Sequence, residues 1–485
     1  MAIVVYLYLP LLVFAWGWVK FYIATPVVLI TAVAIVFSMK NIYKNNQEKT
    51  TCSVLEILVT FIMFSLFFVV AGHSDLFAQD YDWHKHHAVF NDLLNYEWPV
   101  VYSNNVMFTY YFGQYLIPVF VGKIFHSSLV MKSMIPVWNA LGTTIVYAVV
   151  VYLLKVKTNG KKIIIFLALI LWGGCTSLGS LIYNAIYKRQ FVLQSQAFKW
   201  IDMFAVGIHF AGNYDALHDA FQHVITPWLS VCFFLGNKKR YESYMMIAVP
   251  LIFSATFAFI YLVPILLFFA VWGLKKTELP ERLKSIFSLG NILMLPLVGL
   301  LFVYFFSYLF SDKPDSMGFR ITKYGDYWGL YFIFVFAEFL VYSIFLFQSN
   351  KKNILFYVIN LELLLIPLFS LGMCNDLCSR GSIPARFILM VLCLELLLSK
   401  PRINWRSVGL TLVLTWSLYN TAWQFYSHML ITYSGYYKSD RSSFLSDNFK
   451  TLEGFAGNPQ IRDDEAYNYY TFNYTESLFY YIARK

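Results

Sequence analysis

The chain has 485 residues, 59% hydrophobic and 20% aromatic but only 13% charged, and a formal net charge of +10. A soluble protein of this length carries about 25% charged residues, so the composition excludes an ordinary cytosolic domain and places the chain in a membrane. The basic residues fall in short clusters between apolar runs, which is a topology signal and not a nucleic-acid-binding face.

Repeated apolar runs of about 17 to 25 residues, each able to cross a hydrocarbon layer about 30 Å thick, predict an all-α polytopic bundle and not a barrel. The start, MAIVVYLYLPLLVF, lacks a basic n-region and reads as a retained helix, not a signal peptide. Residues 2–39 are two short helices or one bent pair. Lys40, Lys44 and Lys49 then mark a cytoplasmic loop, and residues 53–71 cross.

The next stretch, 73–106, is a polar island crowded with Asp75, Asp80, Asp82, His84, His86, His87, Asp92 and Glu97. A charged group at mid-bilayer costs about 2.5 to 3.5 kcal/mol on insertion scales. The island is therefore expected as an outer loop at the membrane surface, meeting water or a substrate.

Apolar segments at 106–125 and 130–154 follow. Two full crossings would leave Lys155, Lys157, Lys161 and Lys162 outside, against the positive-inside bias. Treating one of the two segments as re-entrant removes the conflict. Residues 163–183 carry Gly173, Gly174 and Gly179, which allow close backbone approach or a break. A second outer loop is expected at 184–227, returning to Asn237–Arg240 inside.

Beyond it, 244–273 reads as a broken helix pair, and 286–310, 328–347, 354–371, 387–399 and 408–430 as crossings, with outer loops at 311–327 and 372–386. The total is about 13 transmembrane helices. Residues 1–431 form the bundle, and 432–485 form an extracytoplasmic tail too short for a large core of its own. Six cysteines make no disulfide framework. Cys374 and Cys378 share a loop and could pair, although unpaired thiols are the better reading.

Three polar constellations could carry chemistry. In the first loop, a helix through Asp82 and His86 would put both on one face at i, i+4 spacing. Asp80 and Asp82 bracket Tyr81 in a D-x-D pattern able to hold a divalent cation through oxygen ligands, or one Asp acts as general base toward an acceptor hydroxyl. The plain alternative is a solvated juxtamembrane helix. His84, His86 and His87 permit a transition metal, but their spacing matches no closed site.

In the second loop, His218, Asp219 and His223 could meet a phosphate or a sugar hydroxyl, or be interfacial histidines with ordinary hydrogen bonds. Trp200 and Trp228 read as aromatic belt. In the third, Asn375, Asp376, Arg380 and Arg386 gather at the outer ends of helices, with Arg320 and Lys323 on the same side. Guanidinium forks suit phosphate, and an Asp376–Arg380 structural pair is the alternative.

The stretch YDWHKHHAVFNDLLNYEWPV, the helix opening with Tyr110 and Tyr111 and running to Lys123, and the later WGGCTSLG and NDLCSRGSIPA segments resemble the bacterial multi-spanning membrane glycosyltransferases of the GT-C fold superfamily. The resemblance implies a GT-C-like bundle in the bacterial cytoplasmic membrane with juxtamembrane helices in the first outer loop. It further implies transfer of a sugar from a polyprenyl-phosphate-linked donor to a cell-envelope glycan or lipid-linked acceptor on the outer face. An acidic residue of the first outer loop is the catalytic base in such enzymes. Carried over, Asp82 matches best with its D-x-H arrangement to His84, and Asp80 or Asp75 comes second. Substrate contacts would come from Asp75, His86, His87, His218, His223, Arg320, Asn375, Asp376, Arg380 and Arg386.

Two rivals stand beside this reading. A polysaccharide polymerase or ligase of another fold would use the outer arginines and dispense with Asp82. A transporter or flippase for lipid-linked oligosaccharide would line a mid-membrane path with ionisable groups, for which the apolar spans offer only a few acids, Glu56, Glu338, Glu362 and Glu395.

Overall fold

The computed structural model describes residues 1–45, 52–80, 82–191, 208–274, 276–309, 318–322, 324–325, 328–372, 375–399, 404–438, 451–454 and 468–484. Lys323, Cys374, Trp200 and most of the expected 311–327 loop lie outside them. The architecture is all-α, with two small antiparallel sheets. Apolar side chains on its outer surface, such as Phe21, Leu55 and Leu412 at 74%, 69% and 66% exposure, form far more exposed apolar surface than a soluble monomer carries.

The expectation of 13 spans is corrected. Among the described residues, five helices are long and apolar enough to cross a membrane: Phe21–Lys40, Val54–His73, Ser128–Leu153, Trp328–Asn350 and Asp376–Leu398. The number rises to seven if the pairs Asn159–Leu171 with Thr176–Tyr187, bent by 53°, and Leu279–Ile292 with Leu295–Leu309, bent by 63°, each count once. The break that the glycines near 173 allow and the one expected within 244–273 are both present. Gly173 and Gly174 sit at the first bend, and the 244–273 run divides at Ala255 into helices Tyr244–Ser254 and Thr256–Val271. The expected 372–386 loop is instead helical from Asp376, so Arg380 and Arg386 project from the first turns of a span.

The segment at 106–125 is short. It begins as a strand, Val106–Phe108, and continues as the 12-residue helix Gly113–Ile124, about 18 Å of helix against a core near 30 Å. The following helix Ser128–Leu153 runs the full distance between the two ends of the bundle. At its start Lys132 pairs with Asp75 of the first polar loop at 2.6 Å, and just past its far end Lys162 pairs with Glu56 at 2.7 Å. Glu56 also closes a capping box with Ser53 at the start of its own helix, which anchors that turn.

One end of the bundle therefore gathers the basic turns. Lys161 donates to the Leu398 carbonyl at 2.5 Å, and Ser38 to the Glu242 carbonyl at 3.1 Å. The 237–240 turn borders Ile42. The opposite end holds the polar loop, the start of the Asp376 helix and the C-terminal tail. There Tyr470–Thr471 adds a strand to Val101–Tyr102 and Val106–Phe108, in the register Val101↔Met107↔Thr471. The tail is fixed beneath as well: Asp92, 1% exposed, accepts from Tyr102 Oη at 2.7 Å and from the Leu452 N–H at 2.8 Å.

The last long helix, Trp405–Tyr437, has 33 residues and is not among the five. Its buried stripe is mostly polar, Ser417, Thr421, His428 and Thr432, while Leu412, Trp416, Phe425 and Leu430 face outward. That is the reverse of a helix in water, and it suits a span that shows lipid its apolar side and the protein its polar one.

Candidate functional site

The first polar loop starts where the Val54 helix ends in a π turn, Val69–His73, with Gly72 at φ +80°. A Cβ at Gly72 would meet the Ala78 carbonyl oxygen at 2.7 Å, so only glycine lets the chain fold back on itself there. His73 is locked beneath: its Nε2 lies 2.8 Å from the Leu217 carbonyl and its Nδ1 2.9 Å from Asn139 Nδ2.

Helix Asp82–Asn95 follows. Trp83 is its anchor, fully buried, with Nε1 donating to the His218 carbonyl at 3.0 Å. Asp82 and His86 then share the same face, as their spacing predicts. Both line an open cleft, together with Lys85, Tyr110, Tyr111, Gln222, Asp376, Arg380, Asn468 and Tyr469. Five regions of the chain supply this lining: the first loop, Tyr110–Tyr111 just before helix Gly113–Ile124, the turn before His223, the start of the Asp376 helix and the tail.

Two acids and two cations face one another there. Lys85 reaches Asp82 at 3.1 Å, and Arg380 contacts Asp376 at 3.3 Å and Tyr111 Oη at 2.9 Å. Burial pushes the Asp82 carboxyl up, but Lys85, Arg380 and His86 outweigh it and hold it below its ordinary value. His86 is lowered too, by a different cause. Burial takes its imidazole down to about 4, so it is neutral at pH 7. Its Nε2–H donates to the Asp219 carbonyl at 2.8 Å, and its Nδ1 accepts from Tyr115 Oη at 2.7 Å. Behind the cleft, His223 is fully buried against Tyr111, ring centroids 4.5 Å apart, with neither ring nitrogen hydrogen-bonded.

The D-x-D pair is split. Asp80 turns away from Asp82 toward two histidines, His218 and His428, and these three form the group of potential metal ligands among the described residues. His428 Nε2 lies 3.3 Å from Asp80. Burial alone would lower the His218 imidazole, but Asp219, bonded to its Nδ1 at 2.5 Å, and Asp80 raise it to about 9.

Other residues singled out above sit elsewhere. Asp75 pairs with Lys132, and His87 Nε2 lies 3.0 Å from Gln79 Oε1. His84 is half-buried on the same helix, outside the cleft lining. Asn375, at φ +54°, caps its helix by accepting from the Cys378 N–H. Arg320 is exposed on a short strand paired with Phe369–Ser370.

Arg386 belongs to a second, interior polar cluster. Its guanidinium lies 5.6 Å from the rings of both Trp172 and Phe210, 4% exposed. Nearby, Glu338 sits in a π turn, Phe336–Leu340, and accepts from Thr176 Oγ1 at 2.7 Å. Gly174 makes this possible, because a Cβ there would fall 1.7 Å from Glu338 Oε2. A polar cavity lined by Gly173, Thr176, Asp215, Asn420 and Gln424 adjoins it.

Sequence reasoning missed His428 and the Glu338–Gly174 contact. The signal for the first was the run of Ser417, Thr421, His428 and Thr432 at three- and four-residue multiples along one helix face.

No family model, curated protein or solved structure matches the chain. Fold and site together define a class, an all-α multi-pass membrane protein with a charged, aromatic-walled cleft at one end of its bundle.

Proposed function

We propose that the chain is a membrane glycosyltransferase of GT-C type, moving a sugar from a polyprenyl-phosphate-linked donor to an extracytoplasmic cell-envelope glycan or lipid-linked acceptor. One observation carries the reading: Asp82 and Arg380, 298 positions apart in sequence, line one cleft. The basic turns at the far end favour a cytoplasmic location for that end, which supports reading the cleft as outward-facing, in a bacterial cytoplasmic membrane on this proposal.

In this mechanism the acceptor hydroxyl attacks the anomeric carbon and gives its proton to Asp82, while the bond to phosphate oxygen breaks on the opposite face. Arg380 balances the charge that grows on the departing phosphate. Tyr110, Tyr111 and Tyr469 offer aromatic faces to the sugar. Lys85 and Arg380 hold Asp82 acidic in the free protein, where it would be a weak base. An anionic donor engaging those cations withdraws their pull, so donor binding itself raises the basicity of Asp82.

The test is Asp82→Asn, assayed for transfer from polyprenyl-phosphate hexoses in nanodiscs. A loss of about 10²- to 10⁴-fold in a folded variant is expected, and wild-type turnover would remove the proposal. Native mass spectrometry of the purified protein for a co-purified polyprenyl-linked sugar identifies the donor.

The interior cluster favours a second reading, a transporter or flippase for a lipid-linked oligosaccharide. Buried ionisable groups inside spans mark transport paths, and Glu338 and Arg386 are such groups. Under that reading Glu338→Gln abolishes function while Asp82→Asn spares it.

A further inference from the structure

Asp80, His218 and His428 come from three distant parts of the chain: the loop after the first π turn, the short helix Asn213–Asp219 and the long helix Trp405–Tyr437. One potential ligand atom from each lies within 4.8 Å of the other two. The two imidazoles are stacked, with centroids 4.3 Å apart and planes at 26°. In both rings Nδ1 is already occupied, in His218 by the Asp219 carboxylate at 2.5 Å and in His428 by Tyr214 Oη at 2.9 Å. The Nε2 atoms face the shared centre, that of His428 toward Asp80 at 3.3 Å and that of His218 with a long contact of 3.4 Å to the Ala78 carbonyl, which an ion would replace.

We propose that Asp80, His218 and His428 form a binding site for a divalent transition ion, of which zinc is the best fit. Two imidazoles with one carboxylate is a donor set that selects such ions over magnesium or calcium. Metal-bound histidines characteristically donate their second ring N–H to a carboxylate or another acceptor, which orients the ring and strengthens it as a ligand. His218 with Asp219 and His428 with Tyr214 already have that arrangement. In a tetrahedral zinc site with bonds of about 2.0 to 2.1 Å the donor atoms stand about 3.4 Å apart. The His428–Asp80 separation of 3.3 Å meets this, and the widest pair must close by about 1.5 Å.

Asp80 is 39% exposed, which leaves a solvent-facing fourth position for water. The loop is also pinned beside the site: the Ala78 N–H donates to Thr432 Oγ1 at 2.8 Å, one turn beyond His428, and Tyr436 Oη to the Leu76 carbonyl at 3.0 Å. An ion there would clamp the loop that leads directly into helix Asp82–Asn95 against the last long helix. Its role is structural and independent of whether the cleft transfers sugar.

The test uses full-length protein in detergent, stripped with a chelator, loaded with zinc chloride or cobalt chloride alone at pH 8 and freed of excess ion. Elemental analysis is expected to return about one equivalent of zinc per chain, and the cobalt form should show the intense visible absorption of a four-coordinate site. His218→Ala and His428→Ala should each weaken zinc binding at least about 100-fold, and Asp219→Asn about 10-fold. Asp80→Asn is the milder variant should either alanine fail to fold. Under about 0.1 equivalent on the wild-type protein overturns the proposal, leaving the cluster as a proton-holding network of His218 with Asp80 and Asp219. Full loading of the histidine variants also overturns it, since the ion then sits elsewhere.

Discussion

His86 Nε2 lies 2.8 Å from the backbone carbonyl oxygen of Asp219, tying the helix that carries Asp82 to the end of the short helix Asn213–Asp219 that carries His218. The bond defines the neutral tautomer, because the ring nitrogen facing a carbonyl must hold the proton while Nδ1 accepts from Tyr115.

The first prediction is a loss of stability on the acid side. Burial holds His86 at about 4, below its ordinary 6.5. Above pH 6.5 both folded and unfolded chains keep it neutral, and it contributes no pH dependence. As the pH falls from 6.5 toward 4 the unfolded chain takes up a proton that the folded chain refuses, so stability falls. By pH 5 the loss attributable to His86 is about 2 kcal/mol. Thermal unfolding in detergent at pH 7.5 and pH 5 should show a steeper drop for wild type than for His86→Gln. Equal drops would mean that the imidazole is not the group responsible.

A second prediction separates binding from chemistry. If Arg380 meets the donor phosphate, Arg380→Lys keeps a positive charge but loses the planar fork. KM for the polyprenyl-phosphate donor should rise about tenfold or more, while Arg380→Ala lowers kcat as well because the leaving phosphate then departs uncompensated. Asp82→Asn should instead leave donor KM near the wild-type value. Should Arg380→Ala bind and turn over donor normally, Arg380 has only the structural pairing with Asp376 and Tyr111.

How much of this was legible in the sequence differs by element. The Asp82–His86 face followed from helical spacing alone. The need of Arg380 for a partner was readable from its place at a helix end, and Asp376 meets it at 3.3 Å; that Arg380 and not Arg386 lines the cleft with Asp82 depends on tertiary packing. The lysines at 155–162 required that one of the runs 106–125 and 130–154 fall short of a crossing without saying which, and it is the first that is short, with the 12-residue helix Gly113–Ile124 beside the 26-residue helix Ser128–Leu153. The span count was not legible: the breaks near Gly173–Gly174 and within 244–273 were readable, but hydropathy counts 286–310 and 354–371 as whole crossings, whereas the first is one arm of a pair bent by 63° and the second holds the 12-residue helix Ile354–Leu365. Nor could any local pattern pair Gly174 with Glu338, which lie 164 positions apart and meet only through tertiary packing.

The third prediction concerns the tail. Asp92 accepts from Tyr102 and from the Leu452 amide inside the protein, so Asp92→Ala leaves a buried hydroxyl and a buried N–H without an acceptor, at about 1 to 3 kcal/mol each. The C-terminal segment carrying Leu452 should dissociate more readily. Limited proteolysis should release the fragment containing Tyr470 several times faster than from wild type, with the membrane bundle intact. Unchanged kinetics would show that the sheet pairing of Tyr470–Thr471 holds the tail without help.

The last prediction addresses the interior cluster. At Gly174 an added Cβ would overlap the Glu338 carboxylate, 1.7 Å from Oε2 and 2.5 Å from Cδ. Gly174→Ala must therefore either expel that side chain from Thr176 or push the two helices apart, costing about 1 to 3 kcal/mol. Glu338→Ala removes the obstructing atoms but abandons the hydrogen bond from Thr176. If the overlap is the cause of the first loss, the double variant should be more stable than the sum of the single effects predicts, by about 0.5 to 3 kcal/mol. Additive losses would mean that Gly174 is needed for its backbone conformation at the bend and not for the space it leaves. Transfer activity measured on the same variants separates the two functional readings: a transferase centred on Asp82 should lose little beyond what instability explains, whereas a transporter with its path through Glu338 should lose function in every variant lacking that carboxylate.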